Sequence, residues 1–89
     1  MKTLKKKLTV ITSKGIHGRI ATNLVKIAAK NNVKLSINYE GKTIDCSSVL
    51  HILSLALPQG AKLTIHISGD DPDSAMQAVE NLLAEEESL

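Results

Sequence analysis

Hydrophobic residues follow two different spacings along this chain, and the order of these spacings restricts the folds it can adopt. From Val33 to Tyr39, apolar residues occupy every second position, which is typical of a half-buried strand. From Gly18 to Lys30, they recur at helical spacing. The same patterns predict strands over about 5–12, 42–45 and 62–68, a second helix that Ser47 or Ser48 caps and that ends at Pro58, and a last helix that opens at Asp71 and Pro72.

The predicted element order is β-α-β-β-α-β-α within 89 residues, which is enough for one small domain over residues 1–89. Thr, Lys, Ser and Asn alternate with the apolar residues of the strands, so one face of the sheet should meet solvent. These features predict an α+β fold in which three helices cover one face of a four-stranded antiparallel sheet.

The composition argues against nucleic acid as a partner. Tyr39 is the only aromatic residue, so the chain lacks the rings on which single-stranded binding modules stack bases. The net charge of +2 is too small to indicate a polyanion partner by itself. We interpret the lysines near the start and the glutamates at 85–87 as solvated termini.

The cysteine and hydropathy patterns favour a cytoplasmic protein. Cys46 is the only cysteine, so no intrachain disulfide can form and a cysteine zinc motif is excluded. Small secreted domains usually need such cross-links. The apolar run from Leu8 to Ile11 is too short for a signal peptide, and no segment approaches the length of a membrane span.

The segment from Gly15 to Ala21 reads GIHGRIA and carries the strongest chemical signal. It places His17 at the predicted start of the first helix, with Arg19 two positions later. Free backbone N–H groups at a helix start attract anions. An imidazole there would have a nucleophilic nitrogen beside a phosphate-binding site, although a polar helix cap with a solvated arginine explains the same residues.

This segment resembles the signature of HPr, the histidine-containing phosphocarrier family of the bacterial sugar phosphotransferase system, which is Gly-[Ile/Leu]-His-Ala-Arg-Pro-Ala. The segment from Ser47 to Leu55, SSVLHILSL, is similar to the family's Lys-Ser-Ile-Met-Gly-Val-Met-Ser-Leu. Gly60, Ala61 and the acidic, Ala-rich last helix also fit. The resemblance covers nearly the whole chain in order and spacing.

The resemblance implies an open-faced β-sandwich with sheet order 1-4-2-3. It implies that Nδ1 of His17 takes a phosphoryl group from phospho-enzyme I, charged by phosphoenolpyruvate, and passes it to an enzyme IIA domain. The amides of Gly18 and Arg19 and the Arg19 guanidinium would hold the phosphate by charge-assisted hydrogen bonds. The chain would then be a phosphotransfer substrate that needs no cofactor, and not a turnover enzyme.

Ser48 matches the serine that HPr kinase phosphorylates in Gram-positive-type relatives, although a helix cap alone also explains a serine at this position. The same region matches the family's partner-docking surface. The second helix has too many apolar residues for one buried stripe, so some of them should be exposed. The residues expected to contribute to docking are Ile20, Val49, Leu50, His51 and Leu53, and the alternative for the aliphatic ones is that they pack in the core.

Three residues depart from the family pattern. Ile20 replaces proline and removes its backbone rigidity, Gly18 replaces alanine and adds freedom, and His51 replaces glycine on the docking helix. These changes are compatible with a specialised paralogue that serves another transferase or regulator. We hypothesise that His51 weakens docking to a standard enzyme I.

Two further possibilities follow from the sequence. His17 and His51 could indicate a metal site, but a pair of histidines is an incomplete ligand set, so we expect no metal. An alternative function is a regulatory HPr-like protein that docks on a kinase or transcription regulator without phosphotransfer, leaving His17 unused.

Overall fold

Four antiparallel strands form one sheet in the order β1-β4-β2-β3, and three helices complete the fold. The computed structural model describes residues 2–12 and 15–84. In chain order the elements are β1 (Lys2–Thr9), α1 (Gly18–Lys30), β2 (Val33–Tyr39), β3 (Lys42–Asp45), α2 (Val49–Ser54), β4 (Lys62–Gly69) and α3 (Pro72–Ala84). The sheet order and the three helices confirm the predicted fold class.

The core lies between the helices and one face of the sheet. Leu35 of β2 pairs with Ile67 of β4, and Ile37 pairs with Ile65, and all four side chains are fully buried. Because side chains alternate across a strand, this register places the polar residues of β2 and β4 on the opposite face. The core is therefore built mainly from aliphatic side chains.

Several local predictions are confirmed. Helix α1 spans the predicted residues, and β3 begins after a turn in which Glu40 and Gly41 have φ angles of 50° and 81°. Such positive φ values match the twist of a two-residue hairpin connection. At α3, the Asp71 carboxylate accepts a hydrogen bond from the backbone N–H of Ser74 at 3.2 Å, so it caps the helix that opens at Pro72.

Two predicted boundaries are wrong. Strand β1 spans Lys2–Thr9 instead of 5–12, because its pairing partner β4 spans only Lys62–Gly69 and the register ends where Thr9 meets Lys62. Helix α2 ends at Ser54 although apolar residues continue beyond it. Ala56 has a φ of 49°, which breaks the helix, and Pro58 disfavours helical geometry at the residue before it.

The N-terminal lysines belong to edge strand β1 and do not form a free terminus. Lys6 forms an ion pair with Glu80 of α3, and Lys2 lies 3.3 Å from the carboxylate of Asp73. Charged residues on an edge strand also discourage pairing with other sheets. The acidic run at 85–87 lies outside the described residues.

Within residues 2–12 and 15–84, none of the helices combines the length and the apolar content that crossing a membrane requires.

Candidate functional site

His17 is the N-cap residue of α1, immediately before Gly18, and its side chain takes part in the helix start. Its backbone is extended, with φ −111° and ψ −173°, and its carbonyl accepts the N–H of Ala21 at 2.9 Å. Nδ1 of the ring accepts a hydrogen bond from the backbone N–H of Arg19 at 3.3 Å. A ring nitrogen that accepts carries no proton, so the Nδ1 lone pair points toward the amides of the first helical turn.

The surroundings of this nitrogen favour an anion. The first turn of α1 contains no acidic residue, and its amides have no acceptor within the helix. Gly18 and Arg19 are exposed and His17 is half-buried, so the ring and the amides meet at an open surface. Such a helix start offers backbone N–H groups to an anion without enclosing it.

Ser48 occupies the same N-cap position before α2, but its side chain makes no capping hydrogen bond. Its backbone is extended and its carbonyl accepts the N–H of Ile52 at 3.2 Å. The hydroxyl makes no capping hydrogen bond, and the residue is half-buried. Capping therefore does not explain the serine at this position.

Four of the residues expected to dock partners lie on α2, and we call them the α2 patch: Val49, Leu50, His51 and Leu53. Leu50 is 77% exposed and His51 is also exposed. Val49 and Leu53 are half-buried and pack against the core. The prediction that some apolar residues of this helix are exposed is confirmed.

The expectation that Ile20 extends this surface is wrong. Its side chain is fully buried, as are those of Ala21 and Leu24 on the same face of α1. Because residues four positions apart lie on the same face of a helix, Ile20 shares the inward face of Leu24 and contributes to the core and not to a docking surface.

Cys46, two residues before Ser48, is fully buried and unavailable for chemistry. Burial raises the pKa of its thiol from 9.0 to about 12, and the charge of the Asp45 carboxylate adds to the rise. The reactive thiolate is therefore almost absent at neutral pH. In the part of the chain that the structure describes, no group of three or more His, Cys, Asp or Glu residues could hold a metal ion.

Sequence reasoning missed the residues that support the loop before His17. Thr12 is fully buried and its hydroxyl donates to the Gly15 carbonyl at 2.7 Å. The Ile16 N–H donates to the Leu57 carbonyl at 3.0 Å, which joins this loop to the segment after α2. A glycine shortly before a helix start was a usable signal for such a tight approach, but the threonine gave none.

The comparisons with known proteins agree with the fold described above. A family model described as the phosphorylation site of the phosphotransferase-system HPr component matches residues 4–85. A phosphocarrier protein HPr from Bacillus anthracis superposes with a TM-score of 0.82 at 29% identity, covering 90% of this chain and 95% of that one.

Two other solved structures show the same likeness. An HPr from Thermoanaerobacter tengcongensis gives a TM-score of 0.82 at 26% identity, covering 93% of this chain and 91% of that chain. The histidine-containing phosphocarrier protein of Mycoplasma gives 0.80 at 28% identity, covering 90% and 91%. The similarity therefore extends over nearly the whole length of both partners in each comparison.

Proposed function

The chain belongs to the HPr family of the phosphotransferase system, and from this membership we propose that it carries a phosphoryl group on Nδ1 of His17. The family and the fold support a phosphocarrier role in that system. The proposed donor is phospho-enzyme I, charged by phosphoenolpyruvate, and the proposed acceptor is an enzyme IIA domain for sugar uptake. The reaction takes place in the cytoplasm, and the chain acts as a substrate of the transferases.

The observation that carries this proposal is the position of Nδ1. It faces the first turn of α1, where it accepts the Arg19 N–H. In the first transfer, the Nδ1 lone pair forms a P–N bond while the bond between phosphorus and the donor breaks. In the second, a nucleophile of the acceptor forms a bond to phosphorus while the P–N bond breaks and its electron pair returns to Nδ1. The phosphoryl group takes the place of the Arg19 N–H as the partner of Nδ1.

An open site suits a carrier that must release what it binds. Amides at a helix start and an exposed guanidinium favour an anion by only about 1 kcal/mol each in water-exposed geometry. Gly18 and Arg19 supply such groups at the surface. We infer that they orient the phosphoryl group during transfer and do not hold it tightly.

The α2 patch is the proposed docking surface for enzyme I and enzyme IIA domains. Leu50 offers an apolar side chain that gains from burial, and α2 packs beside α1, which begins at His17. His51 adds a bulky ring where the family has glycine. If it weakens docking to a standard enzyme I, His51→Gly should raise the phosphotransfer rate, and equal rates in both proteins would reject this idea.

Ser48 is a proposed regulatory site for an HPr kinase/phosphorylase. Its hydroxyl makes no capping bond, and a phosphate there would lie at a helix start, which tolerates negative charge. Beside the α2 patch it would repel an acidic partner. With purified kinase and ATP, Ser48→Ala should lose the modification and Ser47→Ala should keep it; the opposite pattern would reassign the site.

The central experiment incubates the protein with phosphoenolpyruvate and enzyme I and measures the mass. We expect the addition of one phosphoryl group that is acid-labile and base-stable. His17→Ala should remain unmodified, whereas His66→Ala, which changes a histidine of β4, should be modified normally. Absence of the mass increase in the unchanged protein, or its persistence in His17→Ala, would refute the phosphocarrier role of this histidine.

A further inference from the structure

Thr12 has an unusual position for a polar side chain in this fold. It is the one fully buried polar residue among residues 2–12 and 15–84. Its hydroxyl donates a 2.7 Å hydrogen bond to the carbonyl of Gly15, and the Gly15 N–H returns a 3.0 Å bond to the Thr12 carbonyl. Burying a hydroxyl costs free energy unless the hydroxyl is hydrogen-bonded. The bond to the Gly15 carbonyl meets this requirement.

The two bonds of one peptide group explain what this threonine does. The carbonyl of the Gly15–Ile16 peptide accepts the Thr12 hydroxyl, and the N–H of the same peptide donates to the Leu57 carbonyl at 3.0 Å. Because a peptide group is planar, bonds at both of its polar atoms determine its orientation. Thr12 and Leu57 therefore hold this peptide from opposite sides.

The held peptide comes immediately before the segment that presents the imidazole. The Ile16 side chain is buried at 6% exposure, so the residue between the peptide and His17 is also anchored. His17 is the next residue, and its Nδ1 accepts the Arg19 N–H at 3.3 Å at the start of α1. A rotation of the Gly15–Ile16 peptide would displace the backbone of His17 and change the direction of this nitrogen.

The loop has further supports from the same side. The side chain of Gln59 donates to the Ile11 carbonyl at 3.1 Å, and the N–H of Gly60 donates to the Val10 carbonyl at 2.7 Å. These bonds hold the end of the loop that leaves β1. The Thr12 hydroxyl holds the end of the loop that leads into His17.

We propose that Thr12 is a positioning residue for phosphotransfer: its hydroxyl holds the Gly15–Ile16 peptide so that Nδ1 of His17 faces the start of α1. This inference rests on the proposed phosphocarrier function. Thr12 acts through the backbone and touches neither the phosphoryl group nor a partner. Removing the hydroxyl should therefore slow the transfer step and leave partner docking through the α2 patch unaffected.

The test compares Thr12→Val, which replaces the hydroxyl with a methyl group of similar size, with Thr12→Ser, which keeps a hydroxyl. Rapid-quench phosphotransfer from phospho-enzyme I gives the rate at saturating donor and the donor concentration for half-maximal rate. We expect Thr12→Val to lower the saturating rate on the order of 10-fold with a nearly unchanged half-saturation concentration, because misplacement of a reacting atom acts on the transfer step. Thr12→Ser should restore most of the rate.

A loss of stability alone must not produce the same result. Val79→Ala, a buried substitution in α3, serves as the control for a weakened core and should transfer at the unchanged rate. If Thr12→Val does not fold, Thr12→Ala removes the hydroxyl without adding bulk. A saturating rate in the folded hydroxyl-free variant equal to that of the unchanged protein would overturn the proposal.

A second measurement does not depend on phosphorylation. Long-range ¹H–¹⁵N spectra report whether Nδ1 of His17 accepts the Arg19 N–H, and amide exchange reports protection of Ile16. In Thr12→Val, we expect the Nδ1 signal to shift and Ile16 to exchange faster; unchanged spectra would refute the positioning role. If the unchanged protein is never phosphorylated, the phosphocarrier proposal fails and these spectra alone decide whether Thr12 positions the ring.

Discussion

Helices α1 and α2 each follow an N-cap residue that we propose to be phosphorylated, yet the two helix starts are built differently. Both His17 and Ser48 have extended backbones, with φ angles of −111° and −133°. The ring of His17 accepts the Arg19 N–H, whereas the hydroxyl of Ser48 makes no capping bond. Helix α1 continues for 13 residues and α2 for only 6.

The neighbours of the two residues differ as well. Ile20, the third residue of α1, is fully buried, whereas Leu50, the second residue of α2, is 77% exposed. The start of α1 is therefore tied to the core and presents one functional side chain in a set direction. The start of α2 presents an exposed surface, which suits contact with partners and regulation more than chemistry.

The largest expected effect concerns Cys46, which lies between β3 and α2. The pKa of Cys46 is raised from 9.0 to about 12, so at pH 8 the folded protein should contain about 1,000-fold less thiolate than the unfolded chain. Iodoacetamide should label the native protein correspondingly slowly and the chain in denaturant quickly. Equal labelling rates would mean that the Cys46 thiol is exposed to solvent in the folded protein.

The same shift has a defined pH dependence. The folded state binds the thiol proton more tightly than the unfolded state, so the stabilisation is present in full below pH 9 and is lost as pH rises toward 12. Denaturant titrations across this pH range give the free energies of unfolding of the unchanged protein and of Cys46→Ala. The two values should converge at high pH if the thiol is responsible.

The segment that leads into α1 has no room for an added side-chain atom at Gly15. Gly15 has a φ of 68°, and a Cβ there would lie 2.2 Å from the Leu57 carbonyl oxygen. We expect Gly15→Ala to lower the free energy of unfolding by about 4 kcal/mol, because backbone strain and a backbone clash combine. Urea denaturation measures the loss.

Gly18 is the matched control for this substitution. A Cβ at Gly18 has no atom within 4 Å, and alanine favours a helix. Gly18→Ala should therefore stabilise the protein by about 0.5 kcal/mol. If both substitutions change the free energy of unfolding in the same direction, the loop before His17 is not held against Leu57.

A pair of aliphatic truncations separates core from surface at the two helix starts. Ile20→Ala should cost about 3 kcal/mol in unfolding free energy because it empties a buried volume. Leu50→Ala should change stability by less than about 0.5 kcal/mol, since the side chain is 77% exposed, but should weaken enzyme I binding by about 1 kcal/mol or more. Calorimetric titration with enzyme I checks the second part, and unchanged binding would exclude Leu50 from the interface.

The smallest expected effect is at the cap of α2. A serine that caps through its hydroxyl usually contributes about 1 kcal/mol, but Ser48 makes no such bond. Ser48→Ala should therefore change the free energy of unfolding by less than about 0.5 kcal/mol in chemical denaturation. A loss near 1 kcal/mol would indicate that the hydroxyl caps α2 in solution.

Much of the fold and part of the candidate site followed from local patterns. The bounds of α1 and β3, the Asp71 cap and the presence of exposed apolar residues on α2 could be predicted, because each depends on spacing or on a neighbouring residue. Ile20 was assigned to the wrong environment because a family resemblance indicates a position, while burial depends on which way the helix faces the sheet.

The early end of α2 and the shifted bounds of β1 depend on distant segments. The register of β1 against β4 and the positive φ of Ala56 follow from how the segments assemble, and no local pattern contains that information.

The amino-acid order by itself determined the succession of strands and helices and placed an imidazole at the beginning of the first helix. Periodicity and turn chemistry act over a few residues, so they can be read without coordinates. Only the tertiary structure decided how that imidazole is aimed. The peptide before Ile16 is held by Thr12 and by Leu57, which lies more than forty positions further along the chain, and hydrogen bonds between such segments exist only once the core has brought them together.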